Sequence, residues 1–346
     1  MREIYLPLHH GKAPYWLLNR MKKLANPILK LMILEYGERE FLERVSNPIF
    51  FQSLSNVLGF DWNSSGATTV LTGVLKATLN RDEFCIRVAG GKGSNALRTP
   101  EEIMKYSEEI GADGERIVEF SRFAAKTDNA ALIDGYTIYH HAVLFTRKHF
   151  TVIQQGMNEK ERLARRYHWE VYSVLPDLEN VHERIIAERK EKDVVNMTSD
   201  LSRDARNLCV DIINDGSFKR DYRKLVSIAK WRGGIIVPKR IDWRAVERAY
   251  NLQPERFEDI LMIRGFGRET IRALALIAEI IYNTEYDKVD PAKYCFAVGG
   301  KDGVPFPVRK DIYDEVIEFM KDVVKQAELG DYDRKRMLER LSRIWK

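Results

Sequence analysis

The chain is 346 residues long, with 45% hydrophobic and 31% charged residues. That is the make-up of an ordinary globular protein, large enough for two or three domains. No apolar run reaches the roughly 18–20 residues that a membrane span requires. No small-residue cleavage site follows the early apolar stretch, so neither a membrane segment nor a signal peptide is expected, and the cytoplasm is the expected location. The net charge of +5 is unevenly placed: Gly216–Lys346 holds 27 Lys and Arg against 21 Asp and Glu, and the residues before it hold 29 against 30. This asymmetry points to a polyanionic partner for the C-terminal part. Cys85, Cys209 and Cys295 are far apart and odd in number, which suits neither a paired zinc motif nor a disulfide framework.

In chain order, Pro14 to about Leu79 reads as helical. Leu17, Leu18, Met21, Leu24, Ile28, Leu31 and Met32 recur at helical spacing, with Pro27 as the expected kink. Phe84–Val88 reads as a strand running into a Gly-rich loop, Gly90-Gly91-Lys92-Gly93. Thr99, Pro100 and Glu102 predict a capped helix start, and Gly111 its end. Tyr136–Phe145 and Phe150–Gln155 form a strand pair across the turn Thr146–His149. Leu178–Lys230 reads as helical with breaks near Asn196–Asp200 and Asp215–Ser217, and the rest is helical apart from Val298–Val308. The expected fold is α+β. A mixed domain with a β-hairpin or small sheet spans 1–175 and holds the catalytic site, a helical connector spans 176–232, and an all-α DNA-binding domain spans 233–346.

The sharpest local pattern is Phe257–Tyr282. Phe257, Ile260, Leu261 and Ile263 make one apolar helix face. Arg264-Gly265-Phe266-Gly267-Arg268-Glu269-Thr270 follows, then a second helix buries Ile271, Leu274, Ala275, Ala278 and Ile281. Gly265 and Gly267 allow a tight turn and close approach to a ligand, with Phe266 anchoring the turn. The free N–H groups at the start of the second helix, up to Thr270, can bind a phosphate, with Arg264, Arg268 and Arg272 close by. The pattern resembles the helix-hairpin-helix of DNA repair glycosylases, ligases and junction-processing proteins. Such glycosylases place a catalytic Asp beyond the hairpin, where Asp290 stands here. Their bifunctional members carry a Lys where this chain has Glu269, which speaks against lyase chemistry, and Asp290 before Pro291 is also an ordinary loop signal.

Between Gly90 and Trp169 the polar residues suit a phosphate site. Lys92 and Arg98 supply cations, although the Gly-rich segment lacks P-loop spacing and also fits a flexible loop. His140 and His141 are candidate acid–base residues, and their alternation on a strand allows only one to face a given site. Asp128 and Asp134 could orient a histidine or hold a divalent ion such as Mg or Mn, the candidate cofactor. Gln154 and Gln155 have the same opposite-face geometry. Arg165, Arg166 and His168, interleaved with Tyr167 and Trp169, suit backbone contact and base stacking, or a solvated charged face. All seven histidines lie in the first 182 residues, so any acid–base chemistry is expected there.

Taken together, Pro48–Gln52, Gly59–Trp62, Gly90–Gly93, Asp134–Tyr136 with Tyr139–His141, Gln154–Asn158, Ala164–Trp169 and Gly299-Gly300-Lys301-Asp302-Gly303 resemble the prokaryotic family catalogued as domain of unknown function 763. The resemblance implies one architecture for these blocks and no mechanism. Lys301 joins the expected nucleic-acid contacts. The expected function is a DNA-processing enzyme, in repair, that cuts the phosphodiester backbone while the hairpin holds the duplex. The alternatives are a monofunctional glycosylase using Asp290 and a non-enzymatic DNA-binding protein.

Overall fold

A computed structural model describes residues 13–60, 65–179, 181–182, 184–187, 189–295 and 310–341. Lys301 and the Val298–Val308 segment lie outside these residues. The first helix, α1 (Tyr15–Ser46), runs through Pro27 and breaks instead at Gly37, whose φ of 83° and ψ of 166° leave the helical region. The kink thus falls at the residue without a Cβ. Asn47 caps α2 (Pro48–Val57), its side chain accepting the Ile49 and Phe50 N–H groups. Then comes α3 (Ser65–Leu79).

The expected strand at Phe84–Val88 is displaced: β1 spans Arg87–Lys92, so the Gly-rich segment is the end of a strand. Gly90 has a φ of +92°, and a Cβ there would lie 2.2 Å from the His141 carbonyl oxygen and 2.7 Å from Thr99 Oγ1. Glycine is needed for close packing against the neighbouring strand, which an apolar-run reading cannot register. After the single turn α4 (Ser94–Leu97), α5 (Thr99–Ile110) ends at Gly111 in the left-handed conformation. Its expected capping box does not form. The Thr99 hydroxyl donates back to the Ala96 carbonyl at 2.8 Å, while Glu102 accepts the Gly90 N–H at 2.7 Å and Lys76 Nζ at 2.6 Å. Helix α6 (Gly114–Lys126) passes into a π-turn over Thr127–Ala131.

The remaining elements are β2 (Leu132–Ile133), β3 (Thr137–Phe145), β4 (Phe150–Asn158), β5 (Leu163–His168), β6 (Arg184–Ala187), β7 (Val195–Asn196), α7 (Arg203–Asn214), α8 (Phe218–Arg232), α9 (Trp243–Leu252), α10 (Phe257–Met262), α11 (Arg268–Tyr282), β8 (Tyr294–Cys295), α12 (Lys310–Gln326) and α13 (Asp331–Leu341). The reading of Leu178–Lys230 as helical holds only from Arg203 onward. Ile185, Ile186 and Val195 instead extend sheets, where β-branched side chains pack well.

The fold is mixed α and β. Its main sheet has the order β1-β3-β4-β5-β6-β8, antiparallel except for the parallel β6–β8 pair, and β2 pairs with β7 separately. One sheet face, with Val88, Leu144 and Ile153, buries α1, α2, α3, α12 and α13. On the opposite face, Val143, Val152 and Trp169 share one core with α6, α7, α10 and α11, through Phe120, Cys209, Leu261 and Leu274. That core runs across residues 175 and 232 without a break.

Candidate functional site

Three doublets, His140-His141, Gln154-Gln155 and Arg165-Arg166, sit on adjacent strands. Register pairs Lys92 with His140, His140 with Gln155, and Gln155 with Arg166. Directly paired residues share a face, so Lys92, His140, Gln155 and Arg166 form one row under α2 and α3. The second row, on the opposite face under α6, is Gly91, His141, Gln154 and Tyr167. Each doublet sends one member to each side, as the twofold period of a strand demands.

In the first row, Arg166 Nε donates to Thr68 Oγ1 at 2.8 Å and its Nη2 to Gln52 Oε1 at 3.1 Å. Gln155 joins Thr68 and the Tyr139 hydroxyl. His140 Nε2 lies 3.0 Å from Thr72 Oγ1, whose own proton goes to the Thr68 carbonyl at 2.8 Å. With the Thr72 proton on that carbonyl, the ring donates from Nε2 and Nδ1 is its basic nitrogen; Nδ1 has no hydrogen-bond partner among the described residues. Burial, reinforced by His141, Arg166 and Lys92, pulls the His140 pKa down to about 3, so the ring is neutral at neutral pH. Burial also draws Arg166 down to about 9. Lys92 stands at the open end of the row, exposed, with Nζ 5.7 Å from the Tyr139 ring centre. Arg98 is exposed nearby and donates to Asn95 at 2.6 Å. Thr68 and Thr72, four residues apart on one helix face, escaped the sequence reading, because threonines at that spacing also back-bond within a helix.

The second row is closed. Ser121 Oγ lies 2.8 Å from His141 Nε2, and His141 Nδ1 lies 2.9 Å from Gln154 Oε1. Gln154 continues to Asp128, which also accepts Trp169 Nε1 at 2.9 Å and sits 3.2 Å from His182 Nε2. Burial raises the Asp128 pKa well above its ordinary value and lowers that of His182 to about 3, so both groups are pushed toward their neutral forms.

Arg165, expected to contact nucleic acid, is fully buried. It reaches Asp134 at 2.9 Å and grips both oxygens of Asp290 at 3.0 and 2.6 Å. Asp134 also accepts the Tyr167 hydroxyl at 2.6 Å, and Asp290 the N–H groups of Glu191 and Ala292 at 2.6 and 2.9 Å. With its oxygens occupied, Asp290 has no free face for a sugar cation, and Asp134 is tied to Arg165 rather than to either histidine of β3. Arg166 and His168 are also inside, the latter edge-on to Phe51 at 5.2 Å. Helices α2 and α3 cover the face of β5 that carries Arg166 and His168, and so bury what a lone basic strand would expose. No three of His, Cys, Asp and Glu among the described residues come together as a metal site.

In the hairpin, Phe266 is buried as expected. Gly265 has a φ of +98°, and a Cβ there would lie 2.4 Å from Asp242 Oδ2, so this glycine serves packing against α9. Gly267 opens α11 without a side-chain cap, and a Cβ on it would meet nothing within 4 Å. Arg264 is exposed. Arg268 folds back, donating to the Asn129 and Tyr136 carbonyls and, at 3.3 Å, to Thr137 Oγ1, while Thr270 is buried. Lys126 ties the turn to α6 through the Phe266 carbonyl at 2.6 Å.

The positive charge is sharply localised. Residues 216–248 carry ten Lys and Arg against three Asp and Glu, a net of +7 in a chain of +5. All ten are exposed. They lie on α8, on α9 and between them, and Arg248 Nη2 donates to the Arg264 carbonyl at 2.5 Å, which joins this surface to the hairpin.

A family model described as a protein of unknown function, DUF763, matches residues 3–308. No curated protein and no solved structure matches the chain.

Proposed function

The chain belongs to the DUF763 family of proteins of unknown function, and we propose that it is a DNA-processing enzyme that cleaves the phosphodiester backbone. The observation that carries this reading is His140: a neutral, buried imidazole whose basic nitrogen is left without a partner, in register with an exposed lysine. A buried acceptor without a partner costs stability, so its retention suits a chemical task. Lys92 and Arg98 hold the phosphate, and His140 takes the proton of the attacking water. A bound phosphate raises the His140 pKa toward the range useful for a base. The duplex lies on the basic α8–α9 surface and reaches the open N–H groups of α11 at Gly267. The hairpin and the row are at one end of the sheet. Arg268 touches Thr137 and Lys92 pairs with His140, three residues, or roughly 10 Å, further along the strand.

The test is incubation with labelled duplex, single-stranded and branched DNA, and RNA, with and without Mg or Mn. Cleavage of DNA is expected, lost in Lys92→Ala and His140→Ala with binding kept. His141→Ala instead lowers stability, because it breaks the Ser121–Gln154 link. Affinity should fall steeply between about 50 and 200 mM salt, as expected for multiple phosphate contacts. Cleavage at wild-type rate in both Lys92→Ala and His140→Ala would remove the row from the chemistry, and salt-indifferent binding would remove the electrostatic surface.

A further inference from the structure

The end of α8 has a feature that backbone binding does not use. Trp231 is 82% exposed and stands between two exposed cations, Lys230 and Arg232. Gly233 and Gly234 follow with φ of +70° and +73°, and a Cβ on either would meet nothing within 4 Å. Both take positive φ, which glycine adopts without strain, and they end α8 directly after the exposed indole. Ile236, 77% exposed, follows.

Beside Trp231 lies a groove of about 680 Å³ between the end of α8, the outer side of α11 and the segment before β8. Lys192, Arg232, Arg272 and Lys288 supply its cations, and Tyr286 and Ile236 are among its less polar lining. Its acids, Asp193 and Glu279, are already matched by Arg272 at 3.2 Å and by Lys288. Lys192 and Arg232 are in no ion pair among the described residues, so the groove keeps an excess of positive charge.

We propose that this groove and Trp231 hold an unpaired stretch of nucleic acid, with a base stacked on the indole and its phosphates on Lys192 and Arg232; this rests on the nucleic-acid reading above. Bases inside a duplex are stacked on both faces and offer none to an exposed indole, whereas an unpaired base does. Cations flanking an aromatic ring, continuous with a surface of net charge +7, supply the charge complementarity.

The experiment compares a labelled oligothymidylate with a blunt duplex of equal length, using the full chain and its Trp231→Ala and Trp231→Phe variants. Trp231→Ala should weaken oligothymidylate binding about tenfold, the loss of one base–aromatic stack, with duplex affinity unchanged. Trp231→Phe should retain most of the affinity. Equal weakening of both ligands, or of neither, overturns the stacking site and leaves the backbone surface standing. Wild-type binding to duplex alone does the same. Binding to neither ligand overturns this inference and the reading it rests on together.

Discussion

Arg165 is fully buried, so the carboxylates of Asp134 and Asp290 are what balance its charge. They hold its pKa above the ordinary arginine value against burial. Asp290→Asn keeps the shape but leaves the cation facing a single carboxylate. We expect a loss of about 3–5 kcal/mol in urea unfolding, the scale for breaking a buried pair, with DNA affinity of the folded protein preserved. A variant of unchanged stability that no longer cleaves would put Asp290 in the chemistry. The residue types at this site were legible in the sequence, and so was the opposite-face rule for the doublets. Their burial was not: Arg165-Arg166 beside aromatics has the composition of a contact surface. What covers the two sheet faces puts these side chains inside: α2 and α3 over Arg166, and the segments carrying Asp134, Arg189 and Asp290 over Arg165.

Among the elements, the hairpin makes the most specific mutational claim, because its two glycines are unlike each other. Gly265→Ala forces a Cβ into Asp242 at a positive φ, so a loss of at least about 1–3 kcal/mol is expected. Gly267 has an extended φ of −124° and open space before it. Gly267→Ala should cost under about 1 kcal/mol yet weaken DNA binding, since the new methyl stands where a phosphate would approach. Thermal melts and binding curves on both variants separate the two roles. A Gly267→Ala protein with native affinity would move the phosphate away from the α11 start. Helix α5 was readable from its glycine stop at Gly111 and α11 from its apolar spacing. Strands β6 and β7 were not, because short strands draw their identity from partners far along the chain.

At the scale of the molecule, the sheet and the segment just before β6 hold four buried histidines, and this makes stability depend on pH. Burial lowers His140, His141 and His182 to about 3, 4 and 3, and lowers His168 well below the ordinary value of 6.5. Below pH 6.5 the unfolded chain takes up protons that the folded chain refuses. Stability is therefore full above pH 6.5 and falls as the pH drops toward 4, by up to about 1.4 kcal/mol per pH unit for each histidine. Asp128 and Asp134, raised by burial, act in the opposite direction but are outnumbered. Urea unfolding at pH 7, 6 and 5 checks the sign, and a midpoint that rises on acidification would mean that these histidines are charged in the fold.

The packing of α12 and α13 against α1 and α2 also bears on how the protein is made. Met320, Val323, Val324 and Met337 fill the same core as Met21, Ile28, Phe50 and Leu54. Synthesis is vectorial, so the first helices leave the ribosome some 300 residues before the last of the side chains that cover them. The nascent chain must carry an open apolar face through nearly its whole elongation, while the opposite core, complete once α11 has emerged, can close first. This N-terminal face is where a chaperone would be needed, and stalled or shortened chains would aggregate through it.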